Sequence, residues 1–241
     1  MRDCILQVDS LSPDEQDQTQ FIMTSEQMTT WLHGKRTSLL DLDPQTPPTN
    51  LANSLSFTSA RLLVALRSLE KYPGLGFFCR SRNTYSSSET KSGPVALVRS
   101  LNGQLLEFIA KHKTGLDLSQ IEKSLLAKAE SDTDYGLTLF RELLILLEEA
   151  GGPDTSVFIV IDSLSCLSGK PRESHELMEE LWKIIRHRKG LVIKVLVTDA
   201  LVSSPVKGIA TLSLRVPDLV DTTGVMDGEG EMAGRVGGSI R

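Results

Sequence analysis

Residues 157–162 read VFIVID, a run of five apolar residues of strand length that ends on an aspartate. The run lacks the polar alternation of a strand with one face in water, so it predicts a central strand covered on both faces. Two glycines and a proline at 151–153 come before it and favour a turn there. Such a strand requires helices on both sides of its sheet, and the flanking sequence predicts them.

Apolar runs and amphipathic segments alternate along the chain on both sides of this strand. Four more strands are predicted, over residues 38–42, 75–79, 191–197 and 209–216. Helices are predicted over residues 24–32, 57–70, 94–112, 118–130, 137–149 and 172–189. This alternation predicts an α/β fold: a three-layer sandwich with a mostly parallel five-stranded sheet and helices on both faces.

The ends of the chain differ in composition from the middle. Residues 1–20 are polar and acidic, and we expect a flexible N-terminal arm. Residues 21–218 are expected to form a single domain. Residues 219–241 are rich in glycine and poor in large apolar groups, which predicts a disordered tail. Within the domain, the polar stretch 83–93 predicts a surface loop.

Charge, hydropathy and cysteine content exclude several functional classes. The formal charge of −5 makes nucleic-acid binding unlikely, since contacts to phosphates require a surplus of lysine and arginine. No apolar run approaches the length that spans a bilayer, so the sequence predicts no membrane insertion. The three cysteines, Cys4, Cys79 and Cys166, are widely separated and odd in number, which argues against a disulfide framework. We therefore expect a reducing, cytoplasmic location.

Polar residues that follow the predicted strands are the candidates for a functional site. Ligands of parallel sheets bind at the carboxyl ends of the strands. The residues at those ends are Asp41, Asp43, Arg80, Arg82, Asp162, Thr198 and Asp199.

Four segments occur in the order seen in one group of P-loop NTPases. They are GFFCR at 76–80, LVRSLNGQLL at 97–106, VFIVID at 157–162 and IKVLVT at 193–198. Over about residues 20–216 the chain resembles the NACHT-type, nephrocystin-like ATPase domain of fungal STAND proteins. In P-loop NTPases an aspartate at the end of a buried strand holds Mg²⁺. The resemblance therefore implies that Asp162 is a metal ligand and that Asp162 and Thr198 mark a nucleotide-binding site.

Three departures from that family concern the nucleotide machinery itself. The loop after the first strand, PQTPPTNLANSLS at 44–56, has neither the glycines nor the lysine that hold the phosphates. The acidic residue that follows the strand-end aspartate in the family is absent from DSLSC at 162–166. An arginine after the fourth strand is replaced in TDA at 198–200. We therefore expect a catalytically inert, STAND/NACHT-related regulatory or interaction module without a cofactor, whose partner is another protein or a second copy.

Two other functions remain open from the sequence. The first is a nucleotide-binding STAND ATPase with a non-standard phosphate loop, which would take ATP and Mg²⁺ and use Asp162 as the Mg²⁺ ligand. The second is a small-molecule enzyme on a flavodoxin-like sheet. The GKRT segment at 34–37 is similar to the end of a phosphate loop, but it precedes the first strand and therefore predicts a solvated turn.

Overall fold

The computed structural model describes residues 11–48, 50, 53–85, 89–112, 116–150, 155–200, 204 and 206–220. Its strands are β1 (Ser38–Pro44), β2 (Gly74–Phe78), β3 (Ser156–Asp162), β4 (Val192–Thr198) and β5 (Leu212–Val216). Its α-helices are α1 (Pro13–Thr24), α2 (Glu26–His33), α3 (Ser54–Ser68), α4 (Cys79–Tyr85), α5 (Glu89–Ser92), α6 (Pro94–His112), α7 (Lys123–Ala129), α8 (Thr133–Ala150) and α9 (Pro171–Arg186). Two single 3₁₀ turns cover Leu118–Gln120 and Leu164–Cys166.

The five strands form one sheet in the order β2-β3-β4-β1-β5, and every pair is parallel. The carboxyl ends of β1, β3 and β4 therefore lie side by side at one edge of the sheet. In register, Ile161 of β3 pairs with Val197 of β4, and Val197 also pairs with Asp41 of β1. The predicted parallel α/β sheet is confirmed.

Two apolar clusters cover the two faces of the sheet. Since neighbouring side chains of a strand point to opposite faces, Leu39 of β1 packs in one cluster while Leu40 and Leu42 pack in the other. Helices α1, α2 and α3 supply the cluster with Leu40 and Leu42. Helices α6 to α9 supply the larger cluster on the opposite face. The predicted three layers are confirmed.

Within the segment 1–20, where we expected a flexible arm, the described residues from Pro13 onward belong to helix α1. Ser12 and Glu15 form a capping box, and Pro13 stands in the first turn. Only Ile22 of this helix is fully buried, so the helix depends on its cap and on polar contacts. One of these is the amide of Gln18, which donates to the carbonyls of Pro217 and Asp218 after β5 at 2.8 and 3.0 Å.

Several predicted boundaries also change. The loop predicted over residues 83–93 contains the end of α4 and all of α5. Cys79, assigned to the second strand by its apolar character, instead begins α4. Pro44 is the last residue of β1 and pairs with Val216 of β5. The tail predicted at 219–241 lies outside the described residues from 221 onward.

No helix in the described part of the chain is both long enough and apolar enough to cross a bilayer.

Candidate functional site

The predicted site residues Asp162 and Thr198 lie in contact at the carboxyl edge of the sheet. Asp162 ends β3 and Thr198 ends the neighbouring β4. The Thr198 hydroxyl donates to Oδ1 of Asp162 at 2.9 Å. Each residue is only 2% exposed. The two residues that the sequence placed at adjoining strand ends therefore form one buried pair.

Two further hydroxyls reach the same carboxylate. Ser56, in the first turn of α3, donates to Oδ2 of Asp162 at 2.8 Å, and Ser163 donates to the same oxygen at 3.1 Å. The backbone N–H of Ser163 donates to the Thr198 hydroxyl at 2.7 Å. The Asp162 carboxylate is thus bound by three hydroxyls that come from α3, β4 and the residue after β3.

Ser163 adopts left-handed backbone angles, φ 55° and ψ 54°. This conformation costs a residue with a Cβ about 1–2 kcal/mol. It turns the chain out of β3 so that the Ser163 amide and hydroxyl both face the Asp162–Thr198 pair. The strain is offset by the buried hydrogen bonds that this geometry permits.

Burial raises the pKa of Asp162, and the hydrogen bonds from Ser56, Thr198 and Ser163 oppose that rise without overcoming it. All three partners are neutral hydroxyls. Hydrogen bonds from these hydroxyls therefore stabilise the ionised carboxylate, but burial outweighs them and the pKa of Asp162 stays above that of an ordinary aspartate.

The loop between β1 and α3 occupies the position at which P-loop NTPases hold phosphate. In its described part, Pro47 and Pro48 have no backbone N–H to offer, and neither has Pro44 at the end of β1. The carbonyl of Pro48 accepts a hydrogen bond of 2.7 Å from Nη1 of Arg80 in α4. Asn53 caps α3: its side-chain oxygen accepts from the Ser56 N–H at 3.0 Å.

A cleft of about 310 Å³ lies beside this loop. Two carboxylate residues, Glu15 and Asp218, line it, and its described lining contains no lysine or arginine. Gln18 of α1 reaches across it to the first turn of α3, where its Oε1 accepts from the Ser54 hydroxyl at 2.6 Å. The charged residues that line this cleft are both acidic, which disfavours a phosphate inside it.

Asp41 is the second buried carboxyl group at this edge, and it is fully buried in β1. Neither of its oxygens has a hydrogen-bond partner within the described residues. Burial raises the pKa of Asp41 to about 6, helped by nearby Asp43 and Asp199 and opposed by Lys207. Lys207 forms an ion pair of 2.9 Å with Asp43. The sequence placed Asp41 at this edge but gave no sign that its carboxylate lacks a hydrogen-bond partner among the described residues.

Of the remaining candidates from the sequence, Asp199 lies at the carboxyl edge of the sheet and Arg82 contacts an aromatic ring instead. Asp199 follows β4, and its Oδ1 accepts from the Ser165 N–H at 3.2 Å. Arg82 of α4 instead lies over the ring of Phe77, 4.8 Å from its centroid. The GKRT segment precedes β1 at the opposite edge of the sheet, where the carbonyl of Arg36 accepts from the buried Lys194 ammonium at 2.7 Å.

The residues fit a bound Mg²⁺ only in part. Asp162 and Ser56 supply one carboxylate and one hydroxyl, the pair that P-loop NTPases use. Across the described residues, no group of three or more His, Cys, Asp or Glu side chains is placed to hold a metal ion. Mg²⁺ held by so few protein ligands depends on substrate phosphates for the rest of its coordination. In the described part of the loop between β1 and α3, Pro47 and Pro48 offer no backbone N–H to such phosphates.

The sequence did not indicate Ser56 as a site residue. A hydroxyl residue in the first turn of the helix after β1 was the available signal, but only the fold places it against Asp162, 106 residues away.

Comparisons with known proteins give distant structural likenesses. No family model matches the chain, and no curated protein matches it. A Walker-type ATPase of Pyrococcus abyssi is 17% identical, with a TM-score of 0.47, over 85% of this chain and 53% of the other. The Aeropyrum pernix ORC1 protein, solved in complex with DNA, is 14% identical, with a TM-score of 0.47, over 86% and 46%. C. elegans PCH-2 is 15% identical, with a TM-score of 0.26, over 80% and 52%.

The chain thus spans about half the length of these structures. Likenesses this distant do not assign it to a family.

Proposed function

We propose that the chain is a P-loop-type domain, related to the STAND/NACHT group, whose phosphate-binding loop no longer binds phosphate. It acts through contacts with protein rather than by nucleotide hydrolysis. The observation that carries this proposal is the Ser56–Asp162 hydrogen bond of 2.8 Å. It matches the serine or threonine and the strand-end aspartate that hold Mg²⁺ in P-loop NTPases. The pair therefore provides a reference for comparing the residues before Ser56 with those of the P-loop motif.

In that comparison Leu55 stands where the phosphate-binding lysine belongs. The P-loop motif places its lysine directly before the serine or threonine, and Leu55 directly precedes Ser56. Leu55 is 4% exposed and packs in the apolar cluster under α3. An apolar side chain in this position cannot neutralise phosphate charge, and it is committed to the core instead.

The first turn of α3 is also occupied by the protein itself. Helix N-termini bind phosphate through backbone N–H groups that have no partner within the helix. Here the side-chain oxygen of Asn53 accepts a hydrogen bond from the Ser56 N–H, and the side-chain oxygen of Gln18 in α1 accepts one from the Ser54 hydroxyl. Glu15 and Asp218 add negative charge to the adjacent cleft. Each feature lowers affinity for a triphosphate.

A second candidate function is nucleotide binding with Asp162 as the Mg²⁺ ligand. The contacts among Ser56, Asp162 and Thr198 favour it, because they bring two hydroxyls and a carboxylate together at the carboxyl ends of the strands. It would require the loop between β1 and α3 to rearrange around the phosphates.

Thermal unfolding with and without ATP or GTP, in Mg²⁺ and in EDTA, separates the two candidates. A ligand present at a hundredfold excess over its Kd stabilises the fold by about 2.7 kcal/mol, which raises the Tm by several degrees for a chain of this size. We expect no shift for the wild type and none for Asp162→Ala. A Mg²⁺-dependent rise in the wild-type Tm that Asp162→Ala abolishes would establish the second candidate and contradict our proposal.

A further inference from the structure

Strand β2 is the outermost strand on one side of the sheet. Among the described residues it pairs only with β3, so its other side is a lateral edge of the sheet. The backbone groups of Gly74 and Gly76 point away from β3, as their bonds to side chains show. An edge of this kind is a template for pairing with a strand of another chain. In this protein the side chains of Gln104 and Arg67 form hydrogen bonds with the backbone at this edge.

The amide of Gln104 on α6 takes the place of a neighbouring strand. Its Oε1 accepts from the Gly76 N–H at 2.9 Å, and its Nε2 donates to the Gly76 carbonyl at 3.0 Å. A residue of an adjacent antiparallel strand would make the same two bonds. The Ser100 carbonyl and hydroxyl each accept from Nε2 at 3.0 Å, which fixes the orientation of the amide.

Arg67 closes the same edge from the opposite face of the sheet. Its Nε donates to the Gly74 carbonyl at 2.8 Å, and its Nη2 donates to Gln104 Oε1. Because Arg67 belongs to α3 and Gln104 to α6, side chains from both helical layers meet over the edge of β2.

The surface outside this closure carries charges of both signs. A groove of about 430 Å³ runs along β2, with Arg82 and Lys111 on it beside Glu70 and Glu107. A two-fold contact places the same patch of both copies face to face, so the patch must be complementary to itself. A groove with both signs of charge meets that requirement, whereas a groove of one sign would repel its copy.

We propose that Gln104 is an edge guard, a side-chain amide that stands in for a strand, and that its removal opens the β2 edge to pairing with a second copy of this chain. With the guard in place the edge is closed. Without it, two copies pair through their β2 strands. This inference is independent of whether the chain binds nucleotide.

Analytical ultracentrifugation of Gln104→Ala tests the proposal, with Gln120→Ala as the matched control. Gln120 is exposed and lies in a 3₁₀ turn away from β2. We expect Gln104→Ala to form an assembly of at least twice the wild-type mass as concentration rises, and Gln120→Ala to sediment as the wild type. Gln104→Lys should also sediment as the wild type, because an edge lysine blocks strand pairing.

Gln104→Ala that is folded by circular dichroism and keeps the wild-type mass at every concentration would overturn the proposal. Equal association of Gln104→Ala and Gln104→Lys would also overturn it, since that result would indicate damage to the fold rather than exposure of the edge. If Gln104→Ala does not fold, hydrogen exchange of the Gly76 amide in the wild type decides. The proposal requires this amide to be protected, and exchange at the rate of an open amide contradicts it.

Discussion

Replacing Asp41 by asparagine is expected to stabilise the fold at neutral pH and to remove a defined part of its pH dependence. Asp41 is fully buried in the central strand β1, and neither carboxylate oxygen has a hydrogen-bond partner within the described residues. Its charged neighbours are Asp43, Asp199 and Lys207. An ionised carboxylate here therefore costs free energy, which the neutral amide avoids.

The size of the effect follows from the two pKa values. Burial raises the pKa of Asp41 from 3.8 to about 6. As pH rises from 3.8 to 6, the unfolded chain loses this proton before the folded chain does, so folding becomes less favourable through that window. At 1.36 kcal/mol for each pH unit, the loss reaches about 3 kcal/mol above pH 6. The gain from Asp41→Asn has this upper bound, since the new amide brings N–H groups that also need partners.

Urea unfolding of both proteins at about pH 4 and about pH 8 measures the effect. The free energy of unfolding of Asp41→Asn should exceed that of the wild type at the higher pH, and most of the difference should vanish at the lower pH. Asp43→Asn is the matched control. It breaks an exposed ion pair with Lys207, so a loss of at most about 1 kcal/mol is expected.

The reasoning is refuted if the difference in stability between wild type and Asp41→Asn is the same at both pH values. Carboxylates that do not interact with Asp41, Asp162 among them, contribute equally in the two proteins, so the pH dependence of the difference belongs to Asp41 and its charged neighbours.

Three further substitutions test the packing. Gly76→Ala should lose about 1–3 kcal/mol, because its Cβ would lie 2.2 Å from Cδ2 of the buried Leu63; unchanged stability in urea would show that Leu63 moves freely. Gly103→Ala should gain roughly 0.5–1 kcal/mol, since Gly103 is inside α6 and its Cβ would meet nothing within 4 Å; a lower Tm would contradict this. Trp31→Phe should lose about 1–3 kcal/mol, because the buried indole N–H donates to the Val195 carbonyl at 3.0 Å; calorimetry showing an unchanged Tm would argue against that bond.

The layered sheet could be predicted from sequence because each of its strands and helices is indicated by the pattern of residues within that element. The run at 157–161 is apolar throughout and the other strands are mostly apolar, and the amphipathic helix at 94–112 shows its period directly. Asp162 and Thr198 could be placed at one edge because carboxyl ends of parallel strands adjoin.

Features that depend on distant contacts could not be predicted in the same way. Helix α1 has little apolar periodicity and is held partly by Gln18, which bonds residues about 200 positions away. Its capping box at Ser12 and Glu15 was a local signal in the sequence, and it favoured a helix where composition suggested an arm. The contact between Ser56 and Asp162, and the amide of Gln104 on β2, follow only from the packing of helices on the sheet.

We propose that the loop between β1 and α3 does not hold a triphosphate. Equilibrium titration of the purified chain with labelled ATP in the presence of Mg²⁺ tests it most directly, because the signal does not depend on turnover or on a partner. The account predicts no saturable binding up to millimolar nucleotide. Saturable binding with a micromolar Kd, lost on removal of Mg²⁺ or in Asp162→Ala, would contradict it.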